Sequence, residues 1–253
     1  MNKICLSILA VFLTAVTFSD HALSADSTAL ANAVVSAPDR SPEDRALDAG
    51  RKPAEFLVFL GVQPGWRIAD LGAGGGYTAE LLNRAVGSDG VIYGQNSPAV
   101  LQKFAEKAWS ARVAKPAMKG VVRLDRDFDD PFPADFAPLD AVTFVLFYHD
   151  TVWLGVNRDA MNKAVFAALK PGGVYVIVDH SARSGDGVAE AFTFHRIEED
   201  VVKAEVLAAG FVLDGEADFL RNPGDTRDWN DSPRAAGERR GTSDRFVLRF
   251  RKP

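Results

Sequence analysis

Cysteine is almost absent from the sequence: Cys5 is the only one among 253 residues, and it lies at the front of an apolar N-terminal run. A chain that loses this run has no disulfide, no thiolate nucleophile and no cysteine-ligated metal. Positive charge is not in excess either, because 29 basic residues stand against 34 acidic ones and the net charge is -5. This balance gives no electrostatic reason to expect nucleic acid or an anionic membrane as a partner.

Long hydrophobic runs are also rare. The first, Ile4 to Phe18, has the length of a signal-peptide core and is short for a membrane span. Lys3 precedes it, and Ser24 and Ala25 are small residues after which a signal peptidase could cut. The pattern predicts a signal peptide over residues 1–25, export to the bacterial periplasm, and no stable membrane insertion after cleavage. A buried N-terminal helix and an uncleaved anchor are the alternatives.

The remaining chain has the composition of an ordinary globular protein, with 47% hydrophobic and 25% charged residues overall. Small and polar residues predict a loose N-terminal leader over residues 26–40. Ser41 and Pro42 then favour the start of a helix, as a cap and a first-turn proline. Residues 41–253 are enough for one domain with a sizeable core.

Glycine is concentrated in one stretch, which reads Asp70-Leu71-Gly72-Ala73-Gly74-Gly75-Gly76. A short apolar strand precedes the loop and a helix follows it. The glycine backbone can turn tightly and approach a ligand, and the first N–H groups of the helix point at whatever lies there. The dinucleotide-binding pattern needs a third glycine where this sequence has Tyr77, so the stretch disfavours an NAD enzyme.

The spacing Asp70-x-Gly72-x-Gly74-x-Gly76 resembles the first motif of class I S-adenosylmethionine-dependent methyltransferases. A second landmark of that family is the turn Leu169-Lys170-Pro171-Gly172-Gly173 before a later strand. The resemblance implies a Rossmann-like α/β fold: a mostly parallel seven-stranded sheet with one antiparallel strand and helices on both faces. It also implies S-adenosylmethionine as the cofactor, with the loop under its methionine end and Asp70 orienting it.

Two more cofactor positions follow from the resemblance. The family has an acid at the end of the second strand, where it accepts hydrogen bonds from the ribose hydroxyls. Here Gln95 and Asn96 end that strand, and either amide oxygen could accept one such bond. A polar residue after the third strand binds the adenine amino group in the family. Asp127 takes that position here, with a solvated acidic loop as the alternative.

The most apolar stretch of the mature chain, Leu139 to Phe147, predicts a buried central strand that leads into His149 and Asp150. The next strand ends in Asp179 and His180. Ligands bind at the carboxyl ends of the strands in open α/β sheets, so these side chains are expected at the reaction site. We hypothesise that His149 or His180 is the general base of methyl transfer and that Asp150 or Asp179 orients it.

A metal site built from the same four side chains and His195 is an alternative, since imidazoles and carboxylates suit zinc or iron. No tight spacing supports it, so no metal is assigned from the sequence.

The chain also resembles a group of exported bacterial proteins described as predicted methyltransferases, in its export signal and in the short motifs Tyr148-His149-Asp150, Asp179-His180 and Arg221-Asn222-Pro223. The predicted function is methyl transfer from S-adenosylmethionine to a small-molecule acceptor. One alternative is a methyltransferase fold that has lost catalysis and binds a small ligand. Another is a dinucleotide-dependent oxidoreductase, which Tyr77 and Gln95 disfavour.

Overall fold

The computed structural model describes residues 19–134, 136 and 138–253 of the chain. The apolar core of the expected signal peptide, Ile4 to Phe18, lies outside these residues. The first described element is helix α1 (Ser19–Ser36), which includes both candidate cleavage positions. Within the described ranges, the structure contains no helix that is both long and apolar enough to span a membrane.

Residues 26–40 are not the loose leader that the sequence predicts. They belong to α1 and the turn after it, and Ala31 and Val34 are buried in the core. These two residues are three positions apart, so they lie on the same face of the helix. The turn is fixed by Arg40, whose guanidinium pairs with Asp48 at 2.7 Å. The segment is therefore packed as part of the domain.

One seven-stranded sheet forms the centre of the domain, in the order β3-β2-β1-β4-β5-β7-β6. All neighbouring pairs from β3 to β5 are parallel, and β7 is antiparallel to both β5 and β6. This confirms the expected mostly parallel sheet with one antiparallel strand. The strands are β1 (Arg67–Leu71), β2 (Val91–Asn96), β3 (Val122–Asp125), β4 (Leu139–Val145), β5 (Leu169–His180), β6 (Val212–Ala217) and β7 (Arg245–Arg251).

Helices surround the sheet, and local signals explain where several of them begin. Ser41 caps the second helix by accepting a hydrogen bond from Asp44 N, and proline takes the first position of that helix, as predicted. After α1 the helices are α2 (Pro42–Arg51), α3 (Pro53–Leu60), α4 (Tyr77–Val86), α5 (Pro98–Val100), α6 (Glu106–Val113), α7 (Asp150–Trp153), α8 (Arg158–Ala168) and α9 (Glu199–Ala208). A π-helical turn, Leu101–Ala105, joins α5 to α6.

The central strands of the sheet bring polar side chains together at one edge. Apolar side chains of β4 and β5, such as Phe144 and Ile177, have no solvent exposure because helices cover both faces of the sheet. Polar side chains on these strands are tolerated where the strands end and the backbone turns. Asp70, Asp179 and His180 all lie at carboxyl ends of parallel strands, on the edge where open α/β sheets bind ligands.

Trp109 of α6 packs beneath the glycine loop that follows β1. It is fully buried, and two glycines leave room for its indole ring. A Cβ at Gly76 would lie 2.5 Å from the ring, and one at Gly94 of β2 would lie 2.4 Å from it. The loop and β2 therefore pack on one rigid aromatic group, which fixes their relative position.

Candidate functional site

The loop after β1 adopts a backbone that only glycine tolerates easily. Gly72, Gly74 and Gly76 have φ values of 57°, 55° and 82°. A side chain at Gly72 would also collide with Phe147, at 2.9 Å. A Cβ at Gly74 would meet nothing closer than 3.9 Å. Gly74 thus faces open space, as a close backbone approach to a ligand requires.

Gln95 and Asn96 hold this loop in place. Gln95 is fully buried, its Oε1 accepts from Gly72 N at 3.0 Å, and its Nε2 donates to the carbonyl of Arg126 at 2.6 Å. Asn96 Oδ1 accepts from Gly74 N at 2.8 Å. Both amide side chains therefore already bind the protein backbone. Each amide oxygen can accept one further hydrogen bond through its second lone pair.

Asp70 ends β1 with a buried carboxyl group that is only partly satisfied. Thr143 of β4 donates to Oδ1 at 2.8 Å, whereas Oδ2 has no hydrogen-bond partner among the described residues. Burial raises the pKa of Asp70 to about 7, and the Thr143 hydroxyl, the backbone N–H of Ala79 at the start of α4 and the nearby Arg51 guanidinium only partly oppose this effect. An unpaired oxygen at this position indicates a site for a donor group from a ligand.

Arg51, at the end of α2, faces the same region. Its guanidinium lies 4.4 Å from the centre of the Tyr77 ring, and within the described part of the chain it forms no ion pair. Burial lowers the pKa of Arg51. A small cavity of about 20 Å³ is lined by Arg51, Tyr77 and Thr78, by Leu146 and Val178 at the ends of β4 and β5, and by Arg245 of β7. Among the described residues, the region between β1 and β5 therefore contains an Asp70 oxygen without a hydrogen-bond donor and the Arg51 guanidinium without an ion pair.

Asp127 lies on the loop after β3 with an exposed side chain. Its backbone carbonyl accepts from Asp130 N, and no contact joins its carboxylate to another described residue. The neighbouring Phe128 is buried and stacks on Phe144 and Phe147. The loop is thus anchored by its aromatic residue, and the carboxylate stays free.

His149 follows β4, and Asp179 holds it from the end of β5. The two Asp179 oxygens accept from His149 N and from ring atom Nδ1, each at 2.7 Å. Burial by itself lowers the pKa of His149, but Asp179 and Asp150 outweigh it and raise the pKa to about 10. A base must be neutral to accept a proton, so these carboxylates work against the interpretation of His149 as a general base near pH 7.

His195 lies beside His149, although it follows β5 on a long loop. Its φ is 56°, an unusual value for a residue other than glycine. His195 Nδ1 lies 3.2 Å from His149 Nε2 and 3.0 Å from Asp150 Oδ1. The distance between His149 Nε2 and Asp150 Oδ1 is 3.1 Å. The structure thus gathers three of the five side chains that the sequence suggests for a metal site.

His180 belongs to a separate set of contacts. Its Nδ1 lies 2.5 Å from Asp231 Oδ2 and 2.8 Å from Ser243 Oγ. Burial lowers the pKa of His180 despite the neighbouring carboxylates of Asp231 and Asp179. Its Nε2 has no hydrogen-bond partner in the part of the chain that the structure describes. Of the two candidate bases, His180 is the one with an unengaged ring nitrogen.

Sequence reasoning did not identify several partners in this site. Thr143 and Asp231 are far in sequence from Asp70 and His180, the residues that they contact, whereas Trp153 lies only three residues after its partner. Trp153 donates from its indole to Asp150 Oδ1 at 2.8 Å. The loop that carries His195 is fixed by the fully buried Arg196, which pairs with Asp225 at 2.7 Å. Apart from the contact of Trp153, these contacts join segments that are distant in sequence, so no local pattern reveals them.

Residues 31–209 match the model of the protein-L-isoaspartate(D-aspartate) O-methyltransferase family. No curated protein matches the sequence. A S-adenosylmethionine-dependent methyltransferase from Aquifex aeolicus has a similar structure, with a TM-score of 0.59 and 16% identity over 84% of this chain and 94% of that chain. The complex between the Haloferax volcanii Trm112 methyltransferase activator and the putative methyltransferase gives a TM-score of 0.56 and 19% identity, over 90% of this chain and 98% of that chain. The glycopeptide N-methyltransferase MtfA, solved with sinefungin, gives 0.54 and 15%, over 85% and 99%. At these identities the likeness shows the fold.

The buried carboxyl group of Asp70 predicts a pH-dependent effect of Asp70→Asn on the ligand-free protein. Because the pKa of Asp70 is about 7 when folded and 3.8 when unfolded, the folded state binds this proton more tightly. The stability that it contributes is therefore lost as pH rises towards 7. Relative to wild type, Asp70→Asn should gain about 2–3 kcal/mol in free energy of unfolding between pH 5 and pH 8.

Denaturant unfolding at both pH values measures this difference. The exposed Asp89 provides the control, since Asp89→Asn should shift stability equally at pH 5 and pH 8. A difference between Asp70→Asn and wild type that stays constant with pH would show that Asp70 is ionised in the folded protein throughout this range.

Proposed function

The chain belongs to the protein-L-isoaspartate(D-aspartate) O-methyltransferase family, and from this premise we propose that it transfers a methyl group from S-adenosylmethionine to a small-molecule acceptor. S-adenosylmethionine is the cofactor of this class of enzyme, and when bound it supplies an electrophilic methyl group. The chain's own task is then to bind the cofactor, to place the acceptor in line with the methyl group and to remove a proton from the acceptor where necessary.

The observation that supports the proposal most directly is a partly satisfied carboxyl group and a guanidinium without an ion pair among the described residues, both beside the glycine loop. The amino-acid end of the cofactor has an ammonium group and a carboxylate. Asp70 offers a buried oxygen without a donor, and Arg51 offers a guanidinium without an ion pair among the described residues. The two groups are close enough for Arg51 to lower the pKa of Asp70. We assign the ammonium to Asp70 and the carboxylate to Arg51.

The remaining cofactor contacts are assigned along the same edge. Gly74 faces open space and gives the backbone access that a bound ligand needs. Gln95 and Asn96 would offer their second lone pairs to the ribose hydroxyls while they hold the loop. Asp127, with its free carboxylate after β3, is assigned to the adenine amino group. Gln95 and Asn96 are fully buried in this structure, so the edge would have to open for the ribose to reach them.

Acceptor deprotonation is assigned to His180 rather than to His149. Both ring nitrogens of His149 are engaged, by Asp179 on one side and by Asp150 and His195 on the other. His180 Nδ1 lies between Asp231 Oδ2 at 2.5 Å and Ser243 Oγ at 2.8 Å, and a proton held at Nδ1 leaves Nε2 as the acceptor of a proton. A carboxylate that fixes the tautomer of a histidine base is the arrangement found in catalytic triads.

Cofactor binding tests the assignment of Arg51. Loss of a charge-assisted hydrogen bond costs about 1.5–3 kcal/mol, so Arg51→Gln should weaken the binding of S-adenosylmethionine by at least about tenfold. Calorimetric titration measures the affinity. Arg45 on the same helix is the matched control, because its guanidinium binds the carbonyl of Ala37 instead. Equal affinities for wild type, Arg51→Gln and Arg45→Gln would contradict the assignment.

Transfer to an acceptor tests the function itself. The protein is incubated with S-adenosylmethionine that has a labelled methyl group and with a bacterial metabolite extract, and we expect label in small molecules. His180→Gln should lower this transfer by about 100-fold while the affinity for S-adenosylmethionine stays unchanged. Label found only in protein or nucleic acid would refute a small-molecule acceptor. Tight binding of other small ligands without any binding of S-adenosylmethionine would favour a fold that has lost catalysis.

We also propose that the protein is exported to the periplasm. The support is the apolar run behind Lys3 and the lack of cysteine after Cys5. Cleavage after Ser24 or Ala25 would keep the buried Ala31 and Val34, so it is compatible with the packed helix.

Cell fractionation and N-terminal sequencing check the export proposal. The periplasmic protein should begin at Ala25 or Asp26, and Leu13→Arg, which interrupts the apolar run, should leave the precursor uncleaved in the cytoplasm. Wild-type protein with an intact N-terminus in the cytoplasm would refute the proposal.

A further inference from the structure

We propose that His149, Asp150 and His195 form a binding site for one divalent first-row transition-metal ion. The three residues come from two separate parts of the chain: His149 and Asp150 follow β4, and His195 lies 46 residues beyond His149 on the loop after β5. Within the described part of the chain, they are the group whose ligand atoms come close enough to hold a cation. The proposal is independent of cofactor binding and adds a second ligand to the protein.

The geometry of three atoms supports the site. His149 Nε2, Asp150 Oδ1 and His195 Nδ1 form a nearly equilateral triangle with sides of 3.1, 3.0 and 3.2 Å. With metal–ligand bonds of about 2.0–2.2 Å, neighbouring ligands of an octahedral ion are about 2.8–3.1 Å apart. For a tetrahedral ion the corresponding spacing is about 3.3–3.6 Å. The triangle therefore matches one face of an octahedron, which is the arrangement of the two-histidine, one-carboxylate sites that bind iron.

The groups around the triangle are those that metal sites use to orient their ligands. Asp179 binds His149 through Nδ1, which leaves the lone pair of Nε2 directed towards the triangle. Trp153 donates to Asp150 Oδ1 and fixes the carboxylate. Both contacts hold the ligand atoms in place before any ion arrives.

Hydrogen bonds satisfy the three atoms only when His149 carries a second proton, at Nε2. When His149 donates from Nδ1 to Asp179, its neutral ring has only a lone pair at Nε2. A single proton on His195 Nδ1 can point either to His149 or to Asp150, so one close contact between two lone pairs remains. A cation at the centre relieves all three contacts together. An extra proton on the cluster is the competing occupant, and the experiment distinguishes the two.

Solvent can reach the proposed metal site, and the backbone at one of its ligands has an unusual conformation. The side chains of Asp150 and His195 are 14% and 22% exposed, so an ion can enter and can keep open positions for water or another ligand. His195 has a left-handed backbone with a φ of 56°. Strain of this kind persists where the surrounding structure requires a particular side-chain position.

Metal binding is measured on the full chain after treatment with a chelator. Titration with Mn²⁺, Fe²⁺ under anaerobic conditions, Co²⁺ and Zn²⁺ should give one tightly bound ion per chain, confirmed by elemental analysis. Bound Co²⁺ should show visible absorption bands that report nitrogen and oxygen ligands. These readouts do not depend on any activity of the protein.

His195→Gly and Asp150→Asn test the ligands. His195→Gly suits a left-handed backbone, so it should fold, lose at least about 100-fold in metal affinity and regain part of that affinity when free imidazole is added. His180→Gln is the matched control with unchanged metal affinity, because the ring centre of His180 is 5.5 Å from that of His149 and its Nδ1 faces Asp231.

Two results would overturn the proposal. The first is that the folded protein binds no metal ion and shows no Co²⁺ bands. This would mean that protons, and not a metal ion, bridge the three side chains. The second is binding that His195→Gly and Asp150→Asn leave intact, which would place the ion elsewhere. Titration of the same sample with S-adenosylmethionine separates this outcome from a failure of the proposed function, since either ligand can bind without the other.

Discussion

The arrangement of the candidate site depends on one buried carboxylate, Asp179 at the end of β5. It has no solvent exposure and accepts three hydrogen bonds, from His149 N, His149 Nδ1 and His180 N, at 2.7–2.8 Å. A buried carboxylate is costly unless donors compensate its lost hydration. The same three contacts join the turn after β4 to the end of β5 and fix the ring of His149. The positions of both histidines therefore follow from the need to satisfy a single charge.

An analogous requirement explains the buried amide of Gln95 near the end of β2. Its Nε2 donates to the carbonyl of Arg126 while its Oε1 accepts from Gly72 N. A carboxylate could accept from the glycine loop but could not donate to a carbonyl, and both oxygens would be buried. The amide therefore joins the loops after β1 and β3, a task that an acid cannot perform.

The sequence predicts those features of the fold and of the candidate site whose signals come from residues close together in the chain. The glycine loop, the strands before Asp70 and His149 and the seven-stranded sheet were predictable, because glycine spacing and apolar runs act on the chain nearby. The approach of His195 to the ring of His149 was not, because the two residues are 46 positions apart and contacts between distant segments, such as Arg196 with Asp225, hold the loop that carries His195. The packing of α1 was also missed, since a face of two small residues gives a weak periodic signal.

The two sides of the binding edge differ in whether their polar groups already have hydrogen-bond or ion-pair partners. The two sides are therefore suited to different tasks. Near β1, Asp70 keeps an oxygen without a donor and Arg51 keeps a guanidinium without an ion pair among the described residues. Such groups destabilise the ligand-free protein, so they favour a ligand that carries the opposite charges. Between β4 and β5, Asp179 and its partners fix their ring atoms before anything binds. Binding energy is therefore available on the first side, and fixed geometry on the second, which is the combination that transfer between two bound molecules requires.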